Sequence, residues 1–421
     1  MSETIIKDVI GRRVWDSRGR PTVEAEIHLA GGATGRAIAP AGASRGRNEA
    51  IDLRDGGDDF GGFGVERALA NVNGEIATLL EGMDCLDQEA IDLSMIEKDD
   101  TDTKSRFGGN ATIAVSMAVL HAAAAAHRLP LWQHVARGNP VRIPMPEIQI
   151  FGGGAHAGRR VDIQDFMAVP VGAGSFDEAL EMIAEVYLSA GRLMEDSGRR
   201  SGVADEGGWW PAFATNEEAL DMLVRAIEDA GWDPGDDIAI SLDIAASEFG
   251  ENGLYRLGLE GRELDGDGMI EMLGGWLDRY PIVSVEDPLG EDDPEAFRAF
   301  TEAYGQSVQV IGDDFLVTNA ERIANAAEAG ICNSALIKPN QAGTITETRA
   351  ALDAVRAAGW GTVVSARSGE TEDVTIAHLA VGWNAGQLKV GSFARSERMA
   401  KWNEVLRIEE ALGDDARLAG T

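Results

Sequence analysis

Cysteine is nearly absent: the 421 residues carry two, Cys85 and Cys332, far apart in the chain. That excludes a disulfide framework, and there is no CxxC pair to form a thiol metal site or a redox motif. Both absences fit a reducing compartment. Long apolar runs are missing too. The opening MSETIIKDVIGRRVWDSRG has no apolar stretch of secretory type, and the alanine run at 122–126 is short and closely flanked by His and Arg. A cytoplasmic, soluble chain is expected. Basic residues are scarce: 37 Lys and Arg stand against 71 Asp and Glu, a formal charge of −34. Such a surface repels nucleic acid and anionic membranes, so neither is expected as a partner. An anionic substrate would need a local positive pocket. The bulk of the charge reads as solubility or adaptation to high salt. No G-x-G-x-x-G follows the first strand, which removes the main signal for an open doubly wound sheet.

The hydrophobic residues, 44% of the chain, are enough for a sizeable core. The length fits a barrel of about 250 residues with a smaller domain attached. Near the start Val23, Ala25, Ile27 and Leu29 alternate with Glu24, Glu26 and His28, the pattern of a half-buried antiparallel strand. A Gly-rich turn at 31–35 and a polar loop, AGASRGRNEA at 41–50, follow it. Residues 65–82 and 110–128 have helical character, the second so rich in alanine that it should pack closely. Strands followed by helices predict an α+β domain over residues 1–135. The segment ARGNPVRIPMP, with three prolines, reads as the connector.

From residue 136 to 421 the pattern changes to short β-branched runs alternating with amphipathic helices. One such helix carries Leu220, Leu223, Val224 and Ile227 and is ended by Gly231 and Pro234. IAISLD, IVSVED, VQVIGDD, NSALIK, TVVSAR and LKVGS are the strands. Repeated β-then-α units of this extent predict an α/β fold with a closed barrel, with irregular units at its opening.

Barrel enzymes build their sites at the C-terminal strand ends. Here those ends carry Asp243, Glu286 with Asp287, Asp313 with Asp314, then Lys338, then Arg367 and Ser368, and finally Lys389. Any one strand-end acid is by itself more often a helix cap. Three on consecutive strands, followed by three cations, are not explained that way. Asp243, Glu286 and Asp313 at one mouth would repel each other without a cation, and oxygen donors without His or Cys suit a hard ion such as Mg²⁺. A lysine beside that ion and a second cation is expected to have a lowered pKa, which suits a general base. The metal in turn would stabilise a carbanion formed beside a carboxylate. Three further segments have site character: Gln164 and Asp165 in VDIQDFMAVP, Glu206 before two glycines in GVADEGGWWP, and His156 within GGGAHAG. Taken alone, the His reads as an exposed loop residue.

The stretches DSRGRPTVEAE, GASRGRNEAIDLRDG, DIQDFM, DEGG, SLDIAASEF, SVEDPLGEDD, GDDFLVTN, IKPNQAGT, SARSGETED and SFARSERMAKWNEVLRIEE together resemble the enolase family over essentially the whole chain. The resemblance implies a lyase with two Mg²⁺ ions, a small anionic substrate like 2-phosphoglycerate, and a homodimer or homo-octamer. By it, Asp243, Glu286 and Asp313 correspond to the ligands of the first ion and Ser44 to the loop residue closing over the second. Lys338 corresponds to the base, Glu206 to the acid assisting the leaving hydroxyl, Lys389 to the substrate-carboxylate contact, and Arg367 and Ser368 to the phosphate grip. His156 matches the family's loop histidine. The chain also departs from the family. Arg45 stands where the family has Thr, with Arg47 two further on. Asp165 replaces a Glu, Ala366 a His and Gly152 an Asn, and Pro339 follows Lys338 where Val is usual. These changes leave open a specialised relative, a carboxyphosphonoenolpyruvate synthase of phosphonate biosynthesis. Its phosphono-carboxylate co-substrate would need the space beside Ala366 and the charge of Arg45 and Arg47. A non-enzymatic scaffold is the remaining reading, and the complete acidic set argues against it.

Overall fold

A computed structural model describes residues 3–43 and 46–420. The N-terminal sheet is a meander of β1 (Ile6–Trp15), β2 (Pro21–Leu29) and β3 (Thr34–Ile38), all antiparallel. The alternation placed β2 correctly, but its first five residues are buried on both faces. As the central strand it has β1 and β3 on either edge, and Glu24 is carried inside by Arg12 at 2.6 Å and Arg36 at 3.5 Å. The alanine-rich helix Gly109–His127 lies across β2 and β3. A side chain at Gly35 would collide with the backbone of Ala118 and Ala122, so helix and sheet meet at van der Waals distance. This helix is the one described segment long and apolar enough to cross a membrane, and 83% of its apolar window is buried inside the protein. The helical stretch expected at 65–82 is broken into Glu66–Asn71, a π-turn at Val72–Ile76 and Ala77–Leu80.

The larger part is a closed barrel. Its strands are β4 (Met145–Gly152), β5 (Asp165–Val169) and β6 (Ala239–Asp243), then, after a small antiparallel sheet of β7 (Gly250–Glu251), β8 (Leu254–Leu257) and β9 (Arg262–Asp265), β10 (Ile282–Glu286), β11 (Gln309–Gly312), β12 (Ser334–Ile337), β13 (Gly361–Ser365) and β14 (Gln387–Gly391). Around the barrel the order is β4-β5-β6-β10-β11-β12-β13-β14, and β14 returns to β4. The irregular opening is specific: β5 runs antiparallel to both β4 and β6, and all other neighbours are parallel. Two helices, Phe176–Asp196 and Asn216–Asp229, separate β5 from β6, and from β10 onward strands and helices alternate, with a short extra turn of helix, Pro339–Ala342, after β12.

The reversal of β5 matters for the site. Asp165 is the first residue of its strand, yet it pairs with Gly152 and Asp243, the last residues of theirs. It therefore stands at the same mouth. Loops of the N-terminal part close over that mouth: Ala41 and Gly369 exchange backbone hydrogen bonds, and Ser17 N–H donates to Glu370 O at 2.7 Å.

Candidate active site

The strand ends bring the charged residues together in a buried cluster. Asp243 pairs with Glu286 across β6 and β10, and Glu286 with Ile311 across β10 and β11. The ammonium of Lys389 lies 2.7 Å from Asp243 Oδ2, 2.8 Å from Glu286 Oε2 and 3.4 Å from Asp165 Oδ2. Lys338 Nζ donates to Asp313 Oδ2 in a short hydrogen bond. Each of the three strand-end acids is thus held by a lysine, and they do not close into one compact triad. The tight acidic cluster is instead Asp287, Asp313 and Asp314, with oxygens within 4.8 Å of one another. Asp287 is already committed, since its two carboxylate oxygens accept the backbone N–H groups of Asp313 at 2.9 Å and Asp314 at 2.8 Å. That use fixes the turn after β11 and aims Asp313. We therefore assign Asp287 to orientation rather than to ligation.

Burial and the carboxylate of Asp243 drive the pKa of Glu286 well above its ordinary value. Its Oε1 is buried with no hydrogen-bond partner. A carboxylate oxygen shielded from water, unpaired and set among other carboxylates fits a hard divalent cation. A lowered pKa is expected of a lysine beside a bound cation; with the carboxylates facing the lysines directly, the shifts run the other way. Burial is the largest influence on Lys338 and lowers its pKa, but the neighbouring carboxylates, Asp313 foremost and then Glu286, together turn the net shift upward. Lys389 behaves likewise, with Asp243 and Glu286 raising it well above the ordinary value.

Across the mouth, His156 is buried rather than exposed, at 6% accessibility. Its Nδ1 lies 3.4 Å from Asp165 Oδ1 and its Nε2 3.8 Å from Glu206 Oε1. Burial disfavours the charged ring, but Glu206 and Asp165 overcome it and push the pKa to about 9. The ring is therefore a cation between two acids at neutral pH. Gln164 Nε2 donates to Asp243 Oδ2 at 2.9 Å. His156, Gln164, Asp165, Glu206, Asp243, Lys338, Arg367, Ser368 and Lys389 line one cavity, with Ala43, Ser365 and Ala366 completing its wall. A larger cavity, of about 700 Å³, lies elsewhere, between Cys85, His127 and Trp383, and contains no strand-end residue.

Arg367 is gripped from the N-terminal part. Glu49 takes it at two points, 3.0 and 3.2 Å, and Asn340 Oδ1 accepts from it at 3.1 Å. Arg18 Nη1 donates to Ser368 Oγ at 3.2 Å. From beneath, the fully buried Arg398 donates to the carbonyls of Arg367 and Ser368, each at 2.6 Å. Glu49, Arg18, Arg398 and Gln341, which donates to Asp313 Oδ1 at 2.8 Å, were not singled out from the sequence. Glu49 sat inside the quoted loop, and its buried partner lies 318 residues away. Ser44 and Arg45 lie outside the described residues. Arg47 does not reach the cavity: its side chain is 70% exposed and pairs with Glu291 at 3.1 Å. An exposed guanidinium keeps its hydration there, whereas at the mouth it would face the already paired Arg367.

Residues 140–421 match the family model described as the enolase C-terminal TIM barrel domain, and residues 6–135 match that of the enolase N-terminal domain. Enolase 1 of Desulfitobacterium hafniense (strain Y51) is 51% identical over 415 residues, covering 98% of this chain and 95% of that protein. With two family models spanning the barrel and its cap, and half of all residues shared with a full-length relative, the chain belongs to the enolase family and is an enolase-type lyase.

Proposed function

We propose that the enzyme removes the α-proton of 2-phosphoglycerate and expels its hydroxyl as water, giving phosphoenolpyruvate, with two Mg²⁺ ions. The observation that carries this is the placement of Lys338 and Glu206, base and acid, in the walls of the same cavity. Lys338 in its neutral form takes the α-proton. The C–O bond then breaks as the C=C bond forms, and Glu206 gives the departing hydroxyl its proton. Lys389 holds the substrate carboxylate, while Arg367 and Ser368 hold the phosphate, with Glu49 yielding its two-point grip to the incoming anion. The His156 cation, 3.8 Å from Glu206, balances the carboxylate that Glu206 becomes once its proton has left. A hard divalent ion held by Asp243, Glu286 and Asp313 would take over the charge balance of the two lysines and stabilise the negative charge left beside the substrate carboxylate.

A second reading is favoured by one feature, Ala366 in the cavity wall. The family's histidine would fill that space. The larger phosphono-carboxylate of a carboxyphosphonoenolpyruvate synthase would need the wall to be open at that point. One set of assays separates the readings. Solvent deuterium should exchange into the α-position of 2-phosphoglycerate, and Lys338→Ala should slow that exchange by about 10²–10⁴-fold. Wild-type exchange in the variant would remove Lys338 from its role. Dehydration of 2-phosphoglycerate alone at roughly 10 per second or more, an ordinary enzyme rate, supports the first reading. Product formed only when a nucleotide-activated phosphonoformate is also present supports the second.

A further inference from the structure

Gln149 sits on β4 with 1% accessibility, and both ends of its amide are engaged. The Nε2 donates to Asp165 Oδ1 in a short hydrogen bond, and the Oε1 accepts the Gly208 N–H at 2.8 Å. Asp165 begins β5, and Gly208 lies two residues beyond Glu206. One amide therefore ties the acid on a barrel strand to the loop that carries the acid across the cavity. Glycines clear its path. A Cβ at Gly208 would lie 2.5 Å from Gln149 Oε1, and one at Gly152 would lie 2.9 Å from the same oxygen and 2.7 Å from Ala204 Cβ. Both glycines leave the space that the long amide occupies.

The lengths of these side chains are coupled. Asp165 is one methylene shorter than glutamate, so its carboxylate stays nearer its own strand, β5. Gln149 is one methylene longer than asparagine, and it spans the gap that results. We propose that Gln149 is a positioning residue. It fixes the Asp165 carboxylate and the Glu206 loop relative to each other, and its length is matched to the short acid at 165. The amide lies behind both acids and touches no reacting atom. Its effect passes through His156, which faces Asp165 on one side and Glu206 on the other.

The loop has other anchors, so Gln149 variants should fold. Ser392 N–H donates to Glu206 O at 2.9 Å, Arg395 Nε to Ala204 O at 3.1 Å, and Tyr187 OH to Gly207 O at 3.0 Å. What the amide adds is register, and a displacement of about 1 Å at a catalytic acid can cost on the order of 10²-fold.

The test is an exchange of lengths between the two sites. Gln149→Asn shortens the amide, Asp165→Glu lengthens the acid, and the double variant restores the combined reach. Four proteins are compared by kcat and KM for the hydroxyl-expelling reaction and by α-proton exchange, with thermal melting as the control for folding. Each single variant should lose about 10²-fold in kcat with KM moving much less, and exchange, which depends on Lys338, should fall by less than 10-fold. The double variant should recover at least 10-fold over the worse single. Losses that multiply, as independent sites give, would overturn the proposal. So would single variants whose kcat loss follows only their melting temperature. The inference rests on the assignment of Glu206 in the proposed function, and the two fail differently. Failure of the unmodified enzyme to expel the hydroxyl while α-proton exchange persists would sink that assignment. Normal exchange with multiplicative losses sinks only the role of Gln149.

Discussion

Glu147 shows what a single residue can reveal once its surroundings are known. It is buried inside the barrel on β4 and pairs in register with Lys389. Gln387 Nε2 donates to its Oε1 at 2.6 Å and Ser241 Oγ to its Oε2 at 3.1 Å. Burial pushes its pKa up to about 7, although Lys389 pulls it back. A carboxyl whose folded pKa is raised binds its proton more tightly in the folded state. Its contribution to stability is therefore greatest below the unfolded value near 4.5, and it is lost as pH rises through about 7. The loss is on the order of 3 kcal/mol across that window. Glu147→Gln mimics the protonated form, with its carbonyl toward Gln387 and its NH₂ toward Ser241. The variant's advantage in urea midpoint over the unmodified protein should grow between pH 5 and pH 8. An advantage equal at both would show that Glu147 does not titrate there. None of this is legible in PMPEIQIFG, where the residue reads as one acid in a strand. The same holds for Asp287, Arg398 and Gln149, which work through main-chain groups or through partners distant in sequence. The charged residues at the strand ends were more legible. Asp243, Glu286, Lys338 and Lys389 declare themselves because strand ends in a barrel converge, and charge at such ends demands an explanation.

At the scale of elements, the short β-branched runs identified six barrel strands, β6 and β10 to β14, but not β4 and β5, nor the reversed direction of β5. Alternation and apolar runs carry no sense of direction, and the short link from β4 to β5 gives no crossover length to settle it. The strand ladder around Asp165 settles it. Helices were legible for local reasons. Asn216–Asp229 was expected from Leu220, Leu223, Val224 and Ile227, and it buries Ala219, Leu220, Leu223, Ala226 and Ile227. Val224 packs at the edge of that face, partly buried against the core. Its start is a capping box. Thr215 Oγ1 accepts the Glu218 N–H at 3.1 Å, and Glu218 Oε2 accepts the Ala214 N–H at 2.6 Å. Ser175 with Glu178 caps another barrel helix the same way, whereas at Thr344 the Glu347 carboxylate accepts the threonine hydroxyl at 2.7 Å. Thr215→Ala should lower stability by about 1 kcal/mol in denaturant unfolding, and Thr215→Ser should restore most of it. Neither should change kcat, since the cap lies on the outer ring and touches no cavity residue. A kcat change in the alanine variant would mean that the helix start is coupled to the Glu206 loop.

The whole molecule sets a charge of −34 against a mouth where Lys338, Arg367, Lys389, Arg398 and Lys401 are all buried. The acids of the exterior repel one another through solvent, while those of the mouth face each other without water. Salt separates the two populations. The screening length falls from about 10 Å at 0.1 M to about 3 Å at 1 M, so KCl should raise the melting temperature by relieving the exterior. It should do little for the mouth, where Glu286 Oε1 is unpaired and shielded from solvent. A divalent ion bound there stabilises by mass action instead, by about 2.7 kcal/mol at a hundredfold excess over its dissociation constant. At matched ionic strength MgCl₂ should therefore raise the melting temperature beyond KCl, and EDTA should remove only that increment. Asp243→Asn should abolish the increment and keep the KCl response, because one charge in 71 acids leaves the exterior almost unchanged. If magnesium and potassium gave equal gains at equal ionic strength, the strand-end acids would not be holding an ion, and the charge balance at the mouth would be complete with the lysines alone.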